Sequence, residues 1–120
     1  MAPQSRRGWL EIEQIGEVTV AKFNAKYILD EEKVRSVGKQ LLSLSEGVGP
    51  RQVVLNFDSV ERLSTEMLGK LIALQKKIHA QGGRLALCKV RPQLYEIFKI
   101  LKLPQVLSIY AEEEEALQEF

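Results

Sequence analysis

The sequence predicts an α/β domain whose sheet is mixed but mainly parallel, with five strands and about four helices in the order ββαβαβαβα. Two short and almost wholly apolar runs, residues 53–57 and 85–88, are typical of strands that are buried on both faces, as in parallel sheets. Amphipathic helical segments separate such runs, and strands that alternate with helices form parallel sheets with right-handed crossovers. A pair of short strands at the start adds an antiparallel edge.

The first part of the chain predicts a hairpin followed by a helix. Residues 9–15 alternate between two sides, Gly16 begins the break, and residues 18–23 supply a second short strand. Two strands across so tight a break indicate a hairpin. Asp30 is a favourable N-cap residue, and apolar residues recur at helical spacing behind it, so we expect a helix over residues 31–46.

The remaining elements follow from the same periodicities. The second helix should begin at the Ser64-Thr65 pair, end at Gly82, and bury a stripe of Met67, Leu68, Leu71, Leu74 and Ile78. Pro92 suits the first turn of a third helix, whose apolar stripe is Leu94, Ile97, Phe98 and Leu101. A last strand over 106–109 and an acidic helix over 111–119 complete the predicted chain.

Length and composition restrict the class of protein. A chain of 120 residues is expected to form one domain, here residues 9–120 behind a flexible tail of residues 1–8. A formal net charge of +1 gives no support to nucleic-acid binding, and no apolar run is long enough for membrane insertion. The single cysteine, Cys88, lies in an apolar run and should be buried and inert. Together with the absence of a secretory signal, this predicts a cytoplasmic protein.

Enzymatic chemistry finds little support in the sequence. Neither GxxxxGK[ST] nor GxGxxG occurs, so no phosphate-binding loop is predicted. One histidine, His79, and one cysteine cannot build an ordinary zinc site alone, and the consecutive glutamates 112–115 point around a helix rather than at one ion. No acid, base and nucleophile form a candidate triad. We therefore expect neither an enzyme nor a bound cofactor or metal.

The stretches VVLNFDSVERLSTEMLGKLIAL, GGRLALCKVRPQLYEIFKILKL and EEEEAL resemble the STAS domain family of bacterial anti-sigma factor antagonists, over about residues 9–119. The family shows an Asp-Ser-Ser-Gly-Leu-like turn at the start of a helix, and its first serine is phosphorylated by a partner kinase that is also the anti-sigma factor. Here Ser64 replaces the aspartate, and Thr65 falls on the phosphoacceptor. Glu66 and Met67 replace the second serine and the glycine, and Leu68 matches.

The resemblance implies a non-enzymatic regulatory module that binds a kinase-type anti-sigma factor, releases a sigma factor and is switched off by phosphorylation of Thr65, or alternatively of Ser64. The implied partner surface is the loop over 60–66, the exposed side of the next helix and the Leu29-Asp30 pair, which is also similar to the family. Its candidate residues are Asp30, Arg62, Ser64, Thr65, Glu66 and Lys70.

Two questions stay open at this level. Either Ser64 or Thr65 caps the second helix, and the cap is compatible with a phosphorylation switch because a phosphate at a helix N-terminus meets unpaired N–H groups. The alternative function keeps the fold without the switch: a STAS subunit of a lipid-transport ABC complex or of a stress-sensing assembly.

Overall fold

A computed structural model describes residues 4–47 and 49–120. The strands are β1 (Gln4–Arg7), β2 (Leu10–Ile15), β3 (Val18–Phe23), β4 (Tyr27–Ile28), β5 (Gln52–Asn56), β6 (Arg62–Leu63), β7 (Arg84–Cys88) and β8 (Ser108–Tyr110). The helices are α1 (Glu31–Ser43), α2 (Thr65–Ala80), α3 (Pro92–Ile100) and α4 (Glu113–Gln118), with a 3-10 turn over Leu103–Gln105.

The main sheet has the strand order β1-β2-β3-β5-β7-β8. The β1–β2 and β2–β3 pairs are antiparallel, whereas β3–β5, β5–β7 and β7–β8 are parallel. The helices α1, α2 and α3 connect the three parallel pairs in turn. The predicted α/β fold with its opening hairpin and parallel strands is therefore confirmed, and β1 adds a sixth strand at the edge.

The strand β1 corrects the tail that was predicted for residues 1–8. Gln4–Arg7 pair antiparallel with β2, from Gln4 opposite Glu13 to Arg7 opposite Leu10. The two-residue turn between the strands places Gly8 at a φ of +56°, a conformation that glycine adopts without steric penalty. The pairing is made by backbone hydrogen bonds, which do not depend on the pattern of side chains. The segment shows no apolar alternation that would have predicted a strand. Residues 1–3 of the expected tail lie outside the described part of the chain.

A second, two-stranded sheet consists of β4 and β6, which the sequence analysis did not predict. They pair in parallel, with Tyr27 opposite Arg62 and Ile28 opposite Leu63. Two residues per strand are too few to produce a periodic pattern. The pairing nevertheless fixes the segments that lead into α1 and α2.

The helices cover the two faces of the main sheet unequally. The larger core lies under α1, α2 and α3 and contains an aromatic group in which the rings of Phe23 and Phe57 are 4.7 Å apart and those of Phe57 and Phe98 are 6.3 Å apart. The other face packs a smaller cluster against α4, made of Val18, Val20, Val54, Ala86, Cys88 and Ala116. Alternate strand residues supply the two clusters, as the pleat requires.

Most predicted boundaries agree with the structure, and three differ. Helix α4 covers Glu113–Gln118 rather than residues 111–119. Helix α1 ends at Ser43 rather than at residue 46, because the Ser45 amide bonds the Leu42 carbonyl in an i to i−3 turn and the Ser45 hydroxyl donates to the same oxygen at 2.7 Å. The last strand begins at Ser108 rather than at residue 106. The left-handed Lys102, with a φ of +59°, directs the chain into the 3-10 turn first.

Candidate partner-binding edge

The helices α1 and α2 begin at the same edge of the molecule. The Ser64 amide donates to the Ile28 carbonyl at 3.0 Å, which continues the parallel pairing of β4 with β6. Asp30 stands two residues after Ile28, and Ser64 follows the last residue of β6 directly. The structure thus confirms that Asp30 lies near the Ser64-Thr65 turn.

Ser64, and not Thr65, supplies the side-chain cap of α2. The Ser64 hydroxyl oxygen accepts a hydrogen bond from the Met67 amide at 3.1 Å, and Ser64 has extended backbone angles. Asp30 caps α1 in the same way, accepting from the Lys33 amide at 2.8 Å. Each cap satisfies one of the amides that a helix start leaves unpaired. The hydroxyl of Thr65 is therefore not needed to start its helix.

Thr65 and Glu66 form the exposed first turn of α2. On either side of them, Leu63 is half-buried and Leu68 is buried, so these two leucines point inward. The carboxylate of Glu66 lies at the positive end of the helix dipole, where a negative charge is favourable. The edge therefore presents a free hydroxyl beside an acidic side chain.

Lys70 lies farther along α2 and is half-buried against α1. Its aliphatic stem crosses Gly38, so closely that a Cβ atom at Gly38 would come within 2.9 Å of Lys70 Cε. Among the sequence-predicted site residues, Lys70 is thus the one that packs against a neighbouring helix.

An open groove of about 730 Å³ runs between the β4–β6 pair and the start of α3. Its lining residues are Tyr27, Leu29, Glu61, Arg62, Leu63, Gln93 and Ile97. Arg62 is the predicted site residue among them, and Glu61, Leu63 and Leu29 belong to the predicted loop over 60–66 and the Leu29-Asp30 pair. The sequence analysis missed Tyr27, Gln93 and Ile97. The sequence carried one signal for this surface, because Tyr27 and Leu29 flank the buried Ile28. The groove itself depends on the pairing of β4 with β6, which the sequence does not reveal.

The thiol of Cys88 lies on the other face of the sheet, in the small cluster that packs against α4. The side chain is fully buried, as predicted, and burial raises the pKa of Cys88 from 9.0 to about 12, with a smaller contribution from the charge of Glu113. Glu113 also accepts a hydrogen bond at 3.0 Å from the side-chain amide of Asn56, which is one of the few buried polar side chains. A thiol with so high a pKa is a poor nucleophile at neutral pH.

Two kinds of site are absent from the part of the chain that the structure describes. No group of three or more His, Cys, Asp or Glu side chains there could hold a metal ion. Within residues 4–47 and 49–120, no helix has the length and apolar character to cross a membrane.

Comparisons with known proteins agree with this architecture. The sequence matches the STAS domain family over residues 10–116. It is 27% identical over 81 residues to a protein of Paenibacillus polymyxa named anti-sigma F factor antagonist, covering 65% of this chain and 69% of that protein.

Solved structures show the same fold both as a nearly whole chain and as one domain of a much longer protein. An anti-sigma-factor antagonist (STAS) domain protein from Planctomyces limnophilus superposes with a TM-score of 0.81 at 24% identity, covering 92% of this chain and 96% of the other. A murine anion transporter, solute carrier 26 family member A9, contains a similar domain with a TM-score of 0.72 at 12% identity. That match covers 88% of this chain but 18% of the transporter.

Proposed function

Because this chain belongs to the STAS domain family, we propose that it is a non-enzymatic binding module of the anti-sigma factor antagonist type. It binds an anti-sigma factor that is also a serine/threonine kinase, and this binding frees a sigma factor in the cytoplasm. Phosphorylation of Thr65 ends the binding. The nucleotide belongs to the kinase, so this chain needs no cofactor of its own.

The observation that carries the proposal is the division of roles between two adjacent hydroxyls. Ser64 accepts the Met67 amide and caps α2, while Thr65 is exposed at the first position of the helix. A hydroxyl that is exposed and not needed for the fold is suited to accept a phosphoryl group. The anti-sigma F factor antagonist of Paenibacillus polymyxa supports the assignment at the level of function.

The proposed switch is a change of charge at the start of α2. The kinase transfers the γ-phosphoryl group of ATP to the Thr65 hydroxyl oxygen, and ADP and a proton leave. The phosphate adds about −1.5 to −2 charges at neutral pH, beside Glu66. Free amides and the helix dipole accommodate this charge, so the fold is retained. The partner then meets a strongly negative surface in place of a neutral hydroxyl.

Affinity capture and binding measurements test the proposal. The tagged chain should capture an anti-sigma factor with a kinase domain, and the purified pair should form a complex without ATP. Thr65→Ala should bind and stay bound after ATP is added. Thr65→Glu should weaken binding, since one carboxylate carries part of a phosphate's charge. Ser64→Asp, which restores the family residue at the neighbouring position, is the matched control for added negative charge and should still bind.

A second candidate is a STAS component of a transporter or stress-sensing assembly, without a phosphorylation switch. The similarity of the fold to a domain of the murine anion transporter favours it, as does Ser64 where the family has aspartate. Capture of an ABC ATPase, with an unmodified Thr65 in the complex, would select this candidate over the first.

A further inference from the structure

We propose that the groove between the β4–β6 pair and α3 binds an amphipathic segment of the protein partner, which inserts an apolar side chain and pairs a carboxylate with Arg62. The inference rests on the proposed function, since it takes the kinase-type anti-sigma factor as that partner. It extends the implied surface from the loop over 60–66 and Leu29 to Tyr27 and the side of α3, and it assigns the groove between them a chemistry of its own.

The walls of the groove are held by regular structure. The register of β4 with β6 places Tyr27 opposite Arg62, and backbone hydrogen bonds from Arg62 to Lys26 and from Ser64 to Ile28 continue the pairing on both sides. The facing wall is the start of α3. The volume of about 730 Å³ is within the range of sites that accommodate several side-chain groups.

An apolar strip leads out of the groove along α3. Ile97 is 46% exposed, Ile100 is 76% exposed and Leu101 is 48% exposed. These residues are three and four apart, so they share one side of the helix. Opposite them, Tyr27 and Leu29 are 45% and 46% exposed. Contiguous exposed apolar surface beside polar residues marks interaction sites, and spacing of this kind suits a partner helix laid along it.

The charges around the groove determine what the segment carries. Glu61 pairs with Lys26 at 3.2 Å, and Glu96 pairs with Lys99 at 3.0 Å. The guanidinium of Arg62 forms neither an ion pair nor a side-chain hydrogen bond with any residue in the described part of the chain. Its planar set of donors matches a carboxylate in a bidentate pair. Of the two charged residues that line the groove, Glu61 is paired and Arg62 is not, so the unpaired charge of the lining is positive and its complement is acidic.

The position of Arg62 links the groove to the switch. Arg62 is three residues before Thr65, a separation of at most ~10 Å along the chain. In physiological salt the screening length is about 8 Å, and exposed charges farther apart than this are largely screened. A phosphate on Thr65 therefore opposes the binding of a partner carboxylate at Arg62 only where the two groups come within about that distance of each other.

Site-specific photo-crosslinking tests the groove directly. A photo-reactive amino acid replaces Ile97 in one sample of the full chain and Leu42 in another, and each is mixed with the captured anti-sigma factor. Leu42 is the matched control, because it is 45% exposed and lies near the far end of α1. Position 97 should crosslink to one partner segment that contains apolar residues and an Asp or Glu, and position 42 should not.

Binding measurements on variants with altered charge in the groove provide a second test. Arg62→Glu and Ile97→Asp should each weaken the complex by about tenfold or more, while Leu42→Asp leaves the Kd within about twofold. Replacing the crosslinked acidic residue of the partner by arginine should restore binding to Arg62→Glu. If the complex forms and neither groove variant weakens it, the inference is overturned and the proposed function stands.

Two other outcomes would also overturn the inference. If Ile97→Asp abolishes a dimer in sedimentation and leaves partner binding unchanged, the occupant is a second copy of this chain. If no anti-sigma factor binds the wild-type chain in any condition, the proposed function fails and the inference fails with it. Circular dichroism of each variant is the control that tests whether its fold is retained.

Discussion

The helices α2 and α3 carry similar apolar stripes in the sequence but differ in what they bury. All five predicted stripe residues of α2 are buried: Met67, Leu68, Leu71, Leu74 and Ile78. In the stripe predicted for α3, Leu94 and Phe98 are buried, whereas Ile97 and Leu101 are about half exposed. Ile100 adds a third exposed apolar side chain beside them.

The difference follows from the neighbours that each helix has. Helix α2 has 16 residues and lies over the centre of the sheet, next to α1 and β7. Helix α3 has nine residues and leads to the edge strand β8, so one side of its stripe faces the open groove rather than the core. An apolar stripe that the fold leaves uncovered is available to a partner, so the stripe of α3 belongs to the surface proposed for binding, whereas the buried stripe of α2 contributes to stability.

The largest effect should come from truncating the two stripes. Leu71→Ala removes a fully buried side chain and should lower the free energy of unfolding by about 2–5 kcal/mol. Ile97→Ala removes a half-exposed side chain at a helix position where alanine is favoured, and should lower it by less than about 1 kcal/mol. Urea unfolding followed by circular dichroism measures both. Equal losses would mean that α3 is as much a part of the core as α2.

A smaller effect on stability is expected from Cys88, which lies on the opposite face of the sheet. Burial raises the pKa of Cys88 from 9.0 to about 12, so the folded protein keeps its thiol proton where the unfolded chain has lost it. The resulting stability is fully present below pH 9.0 and is lost as the pH rises toward about 12. The free energy of unfolding of the wild type should therefore fall more steeply over this window than that of Cys88→Ala.

The same burial predicts slow chemistry at the thiol. A thiol reagent should label Cys88 at the rate at which the protein opens, and denaturant should accelerate labelling strongly. Parallel pH slopes for the wild type and Cys88→Ala, together with rapid labelling in native buffer, would contradict the packing of α4 over this strand.

The smallest expected effect on stability distinguishes the roles of the two hydroxyls at the start of α2. Ser64→Ala removes the acceptor for the Met67 amide and should destabilise the protein by about 1 kcal/mol. Thr65→Ala removes an exposed side chain that makes no capping bond, and should change stability by less than about 0.5 kcal/mol. Thermal unfolding at one protein concentration compares the pair. A larger loss at Thr65 would exchange the roles of the two residues.

The sequence was sufficient for features that depend on local pattern. The order of the four helices and of strands β2, β3, β5, β7 and β8, the Asp30 cap and the burial of Cys88 were predicted and are confirmed. Periodicity and capping preference are properties of neighbouring residues, so one chain reveals them.

Features that depend on distant pairing were not predictable in this way. Strand β1 forms through backbone bonds around a single glycine, and β4 pairs with β6 over two residues each. The exposure of Ile97 depends on which elements surround α3, and the groove at Arg62 depends on the β4–β6 pair. The sequence also left the cap open between Ser64 and Thr65, because both are favourable N-cap residues and only the backbone geometry distinguishes them.

Mapping the phosphorylation site by mass spectrometry tests the central claim most directly. The wild-type chain is incubated with the captured anti-sigma factor and ATP, digested, and sequenced across the start of α2, with Thr65→Ala as the control. The account predicts one phosphate on Thr65, none on the variant, and loss of the complex as phosphate accumulates. An unmodified wild-type chain that still binds its kinase would contradict the switch, and phosphate on Ser64 instead would contradict the assignment of Thr65 as the acceptor, placing it one residue earlier while the mechanism survives.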